Sequence, residues 1–420
     1  MMRRNTIIYV IITLLGGAFS MSCTNNDDHN IPEEPYQYDK SEEILTFANQ
    51  QLKYAIHYSD SVTNQQPELV SPIGIEPQSN TFVMGKSSSW RCGFFPGELW
   101  MMYEYTRDDY WKEEAEKHSW AIQFSCHETG HHDLGFMFNN SFGRAYRTTK
   151  DKKWLEILLS AGKALASRYN PVVGCTRSWG KVDDMEGFVV IIDNMMNLEL
   201  LYEMTKITGD STYYNMACSH ARKTMKNHFR SDYSSYHVLN YDPANGKVIW
   251  KRTSQGYSDE SYWSRGQSWG LYGFTMCYRY SKDASFLQHA KHIANFLMGL
   301  NYADDLIPYW DMLSPDIPNT VRDASAGTIM ASALIELSYY CDGDEKEKYL
   351  SYAIKLLDNL HKDYESKIGE NYGFLLLHST QNYHIPEMLD SSVVYADYYY
   401  MEAVLRLFHY RNLEEYLENS

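Results

Sequence analysis

Positive charge is in short supply in this chain: 38 Lys and Arg stand against 54 Asp and Glu, a net charge of −16 at pH 7 over 420 residues. That balance excludes a nucleic-acid partner, whose phosphate backbone needs clustered cations. An anionic ligand would have to meet cations gathered locally. Cysteine is also scarce, seven in all, with no C-x-x-C spacing. Cys92, Cys126, Cys175, Cys218, Cys277 and Cys341 therefore read as packing residues, forming neither a disulfide framework nor a metal knuckle. No helical H-x-x-x-H occurs, and the adjacent His131, His132 and Asp133 are poorly spaced to converge on one ion, so neither metal nor cofactor is expected. The N-terminal apolar run, Ile7–Leu15, is too short for a membrane span.

That run reads instead as an export signal. Arg3 and Arg4 precede it, and small residues after it lead to Cys23 and the polar Thr24–Asp28. The pattern is similar to a bacterial lipoprotein box with Cys23 as the lipidated residue. The expected organisation is a signal peptide over residues 1–22, a flexible tether over 23–40 and a single folded domain over 41–420. The protein would then be an exported lipoprotein of the periplasm or outer membrane, touching the membrane only through its lipid. Loss of Arg3 and Arg4 takes the charge to −18.

Aromatic residues are abundant, 36 Tyr and 10 Trp among them, enough for a large core and for sugar-facing walls. After a helix opening at Ser41-Glu42-Glu43, the stretch Ser61–Ser89 reads as a loop. A unit then recurs five times: an apolar helix ends, an Asp caps the next, and an aromatic anchors its first turn. The junctions hold Asp108, Asp151, Asp210, Asp283 and Asp342. A sixth hairpin can be assembled from Val393–Phe408 and the first helix, Ser41–Tyr58, giving an all-α, (α/α)6 barrel closed by its own termini. An open helical solenoid is the alternative. In a closed toroid the chemistry belongs to the non-repeated segments 90–100, 131–142, 176–194, 237–273 and 378–392.

The segment Ile191–Glu203 has helical spacing with Asp193 near its start, so Asp193 is either an N-terminal cap or a functional carboxylate. Asp133, between His132 and Leu134-Gly135, is a second carboxylate in similar company, and two carboxylates suit acid/base work on a sugar. Trp90 and Trp179 are candidate stacking platforms or plain core residues. His237 opens a hairpin-like excursion, and Arg265 and Trp269, four residues apart, share a helix face suited to a carboxylate beside a sugar ring.

In combination, H-D-L-G-F at 132–136, I-D-N-M-M-N-L at 192–198, S-Q-G-Y at 254–257 and W-x-R-G-Q-x-W at 263–269 resemble glycoside hydrolase family 88, the unsaturated glucuronyl hydrolases. The resemblance implies an (α/α)6 barrel that removes a Δ4,5-unsaturated uronic acid from the non-reducing end of lyase-generated oligosaccharides, glycosaminoglycan fragments among them. It implies Asp193 as general acid/base and Asp133 as the second essential carboxylate. It further implies substrate contacts from Trp90, His132, Trp179, His237, Thr253, Gln255, Arg265 and Trp269. Ser254 stands where relatives often carry His, and Arg177, Lys251 and Arg252 are candidate sulfate partners on charge alone. The rival expectations are an unsaturated rhamnogalacturonyl hydrolase and a non-catalytic, surface-anchored glycan-binding lipoprotein. The oligomeric state is open.

Overall fold

The computed structural model describes Tyr38 and residues 40–300 and 302–420; the expected signal peptide, Cys23 and nearly all of the tether lie outside these. Six helices follow one another around an inner ring: α2 (Phe94–Thr106), a π-helix (Gly135–Gly143) running into α4 (Arg144–Thr149), α6 (Asn194–Thr208), α8 (Ser264–Ser281), α10 (Ala324–Tyr339) and α12 (Val394–Phe408). Each packs on the next, and α12 packs back on α2, which closes the ring. Outside lie α3 (Asp109–Trp120), α5 (Leu155–Ala166), α7 (Ser211–Asn227), α9 (Ala284–Met298) and α11 (Gly343–Asp363), each paired with the inner helix before it. The first helix, α1 (Ser41–Gln65), pairs with α12 and completes the sixth hairpin. A short α13 (Leu413–Asn419) ends the chain. The result is an (α/α)6 barrel, closed rather than an open solenoid.

Local chemistry explains the repeat. Asp108, Asp151, Asp210 and Asp283 each accept a backbone N–H two residues on, satisfying a donor that the first helical turn leaves free. Asp342 makes no such bond. The inner helices are buried nearly all round, whereas α7, α9 and α11 bury one side. All six cysteines of the described residues are buried and free.

Three features depart from the sequence reading. Residues 61–89 are no plain loop: α1 runs on to Gln65, and β1 (Leu69–Glu76) pairs antiparallel with β2 (Thr81–Lys86). Short strands β3 (Tyr169–Asn170) and β4 (Cys175–Thr176) form a second hairpin. The segment leading to Asp193 is a strand, β5 (Phe188–Ile191), so the helix begins at Asn194 rather than Ile191. Strand β5 pairs with β6 (Val238–Tyr241), which pairs with β7 (Val248–Arg252), confirming the hairpin expected after His237.

Candidate active site

The N-terminal ends of the inner helices gather at one end of the barrel and carry the polar side chains. Trp90 precedes α2, Asp133 precedes the π-helix, Asp193 precedes α6, Arg265 lies in the first turn of α8, Asp323 precedes α10 and Tyr395 lies in the first turn of α12. All five segments marked by the sequence meet here. Trp90 packs on Phe136 and stacks on Tyr395, and Phe136 packs on Trp269. His131 bridges to Trp179. Arg265 joins Gln255 to Gln381.

Asp193 is not a helix cap. Its backbone is helical and its side chain accepts no backbone N–H from α6. The next residue, Asn194, fastens the helix start instead: its amide accepts from Ile191 N–H and Ser178 Oγ and donates to Thr176 O. Asp193 Oδ2 is left buried with no hydrogen-bond partner among the described residues. Burial raises this carboxyl to about 7; Arg265 and the Trp269 N–H pull it down, and the Asp133 charge pushes it up.

His237 faces Asp193, its Nε2 lying 3.8 Å from Oδ2. The N–H groups of Ser254 and Gln255 both donate to His237 Nδ1, at 3.2 Å. The ring proton therefore sits on Nε2, turned toward Asp193. Burial pushes this imidazole down to about 3, so it stays neutral, and its ring stacks on Trp263 at 4.2 Å.

Asp133 lives in the opposite environment. His132 Nε2 lies 3.3 Å from Oδ1 and His131 Nδ1 lies 3.3 Å from Oδ2. Burial alone would raise the Asp133 carboxyl, but His132, His131 and the Arg168 charge outweigh it and hold it below the usual carboxylate range. The orientation of His132 is set from behind. Asn197 Oδ1 accepts the Phe136 N–H at 2.9 Å, which turns its Nδ2 toward His132 Nδ1 at 3.4 Å. His132 Nδ1 then accepts and Nε2–H points to Asp133. Asn197 lies one helical turn after Asp193, a spacing that could have marked it in the sequence.

Arg265 is fully enclosed, and its guanidinium donates to Asp323 Oδ2, Gln255 Oε1 and the carbonyls of Thr380 and Gln381, at 2.5 to 2.8 Å. A substrate carboxylate would have to share these donors, so Arg265, expected as a carboxylate partner, is already engaged within the fold. Gln255 is fixed by Arg265, and Thr253 accepts the Gly256 N–H, shaping the turn that presents Gln255. Trp179 is exposed at the rim, Trp90 half-buried and Trp269 buried. Arg177 and Lys251, expected as sulfate partners, are engaged by backbone carbonyls; Arg252 stacks on Trp250. Among the described residues no group of three or more potential metal-ligand side chains converges. Asp323, Gln381 and Tyr395 were missed in the sequence: the first two lack any motif, and Tyr395 sits inside an apolar helix.

A closed six-hairpin barrel with one carboxyl raised and one lowered at the N-terminal ends of its inner helices defines the class: an (α/α)6 glycoside hydrolase. No family model matches the chain. Its curated relatives include an unsaturated glucuronyl hydrolase of Formosa agariphila, 42% identical over 323 residues, 76% of this chain and 80% of the relative. Another, from Bacillus sp. strain GL1, is 36% identical over 78% of this chain and 89% of its own. Among solved structures, an unsaturated glucuronyl hydrolase specific for heparin superposes with a TM-score of 0.83 at 40% identity, covering 89% of this chain and 98% of that one. The chain belongs to the unsaturated glucuronyl hydrolases, the family its motifs resemble.

Proposed function

We propose that the protein removes the Δ4,5-unsaturated uronic acid from the non-reducing end of lyase-generated, glycosaminoglycan-derived oligosaccharides by hydrating the vinyl ether. The observation that carries this reading is the pair of carboxyls shifted in opposite directions: Asp193 raised to about 7 and Asp133 held below the usual carboxylate range by His132 and His131. Asp193 gives its proton to C4, leaving positive charge shared between C5 and the ring oxygen. Asp133 stabilises that charge from a fixed position. Asp193, now a base with His237 Nε2–H beside it, takes a proton from water as the oxygen adds at C5. The hemiketal opens and releases the remaining sugar. Because the proton goes to carbon, the spacing rule for retaining and inverting glycosidases does not apply. The relatives support the substrate class: a Streptococcus agalactiae enzyme, 29% identical with a TM-score of 0.75, was solved with dGlcA-GalNAc6S, and the 40% identical structure is described as specific for heparin.

The test follows the ultraviolet absorbance of the conjugated double bond on a panel of unsaturated chondroitin, heparin and pectin disaccharides. Loss of absorbance on glucuronyl substrates supports the reading; loss on the rhamnogalacturonyl substrate alone would replace it with the rhamnogalacturonyl reading. We also infer, from Arg3-Arg4, the apolar run and Cys23, that the protein is exported and anchored by lipid at Cys23. Incorporation of labelled fatty acid that disappears in Cys23→Ala tests that assignment.

A further inference from the structure

Two side chains at the catalytic end hold donors that the fold leaves unused among the described residues. The Tyr395 side chain is completely buried, and its hydroxyl has no hydrogen-bond partner among the described residues. A buried polar atom without a partner is destabilising, so its retention calls for an explanation. The ring is rigidly held. It stacks on Trp90 at 5.2 Å, packs on Phe94, and lies beneath the Arg265 guanidinium at 5.4 Å. The second donor is Arg91, beside Trp90. Its Nη1 donates to Gln381 Oε1 at 2.6 Å, its Nε is buried without a partner, and no carboxylate of the described residues pairs with it. Gln381 in turn gives its carbonyl to Arg265, so Arg91 and Arg265 are joined through one residue.

Arg265 alone is a weak partner for an anion, because Asp323 already neutralises that guanidinium at 2.5 Å. A carboxylate held beside Arg265 would gain from a further cation and a neutral donor. We propose that the Tyr395 hydroxyl and Arg91 complete the site for the uronate carboxylate, the hydroxyl donating to one oxygen and Arg91 compensating the charge. Burial holds the phenol protonated, pushed up to about 12 with Asp323 and Asp193 adding to the effect and Arg265 and Arg91 opposing it, so it donates at any working pH. The inference rests on the glucuronyl hydrolase reading and names two positioning residues for it.

The test compares an unsaturated uronide with its methyl ester, which keeps the absorbing double bond and loses the charge. Wild type is expected to prefer the acid. Tyr395→Phe and Arg91→Gln should each lower kcat/KM on the acid roughly ten- to a hundredfold, mainly through KM, with little effect on the ester. Arg91→Lys should restore part of the loss. Because the hydroxyl has no partner among the described residues, Tyr395→Phe should melt no lower than wild type. An acid-to-ester ratio unchanged in both variants overturns the proposal, and so does a lower Tm for Tyr395→Phe, which would reveal an internal partner. A wild type inert toward every unsaturated uronide overturns the underlying function as well and is told apart by needing no variant.

Discussion

Asp193 is where burial and charge oppose one another most sharply. Its carboxyl must be protonated to deliver a proton to C4, so kcat/KM should fall as pH rises through about 7. The acid limb belongs to Asp133, whose carboxyl is held low, and should lie below the usual carboxylate range. A pH–rate profile with its alkaline limb two units higher would contradict the assignment. The same shift has a stability consequence with a definite sign. A carboxyl raised in the fold contributes stability below its unfolded value, near 3.8, and loses it as pH rises through about 7. The cost of ionising Asp193 in place approaches about 4 kcal/mol. The stability advantage of Asp193→Asn should therefore grow from about pH 4 to about pH 7 and then level off, as followed by denaturant unfolding across pH. This residue was legible only in part. Its motif marked it, but the sequence left cap and catalyst equally open, and only Asn194's grip on β5 shows that the cap is not needed.

Among the elements, the π-helix Gly135–Gly143 decides how Asp133 is presented. It approaches α2 and α6 through glycines. A Cβ on Gly93 would lie 2.3 Å from Met137 O, and one on Gly135 would lie 2.6 Å from Asn197 Cα. Both neighbours are backbone atoms that cannot step aside. Gly135→Ala should thus push the π-helix off α6, break the Phe136 N–H bond to Asn197, and lower both Tm and kcat, costing about 1–3 kcal/mol from the lost bond alone. Unchanged kcat would show that the contact does not transmit to Asp133. The Asp-capped hairpins were readable because four of five caps use one local bond with one spacing. Strand β5 was not, since Phe188–Ile191 is a short apolar run that merges with the helix after it. The β1–β2 hairpin was hidden by Pro72 and Gly74, residues that ordinarily argue against a strand. Nothing in residues 135–143 distinguishes a π-helix from an α-helix.

Over the whole molecule, the ring is tied away from the site by buried polar and charged side chains of the inner helices, most of them in the C-terminal halves. Glu104 of α2 pairs with Arg144 of α4, Arg147 with Glu203 of α6, and Glu199 with Arg279 of α8. Arg279 reaches Glu336 of α10, which Arg406 of α12 also meets at 3.1 Å, while Arg144 returns to Tyr398 of α12. This belt enters every inner helix. Arg406 is 1% exposed and also meets Glu402, so Arg406→Met should leave the buried Glu402 without its cation and Glu336 with Arg279 alone, and destabilise by about 3–5 kcal/mol. A loss under about 1 kcal/mol would mean that the belt does not hold the ring. The closure itself was foreseen from the repeat count and the leftover terminal helices; the belt was not, because its members sit singly in apolar helices. What the ring exists to position is the pair Asp193 and Asp133, and one measurement addresses that most directly. Ultraviolet absorbance of an unsaturated glucuronyl disaccharide should fall with wild type and stay constant with Asp193→Asn, both proteins being folded. Equal loss of absorbance in the two would contradict Asp193 as the proton donor.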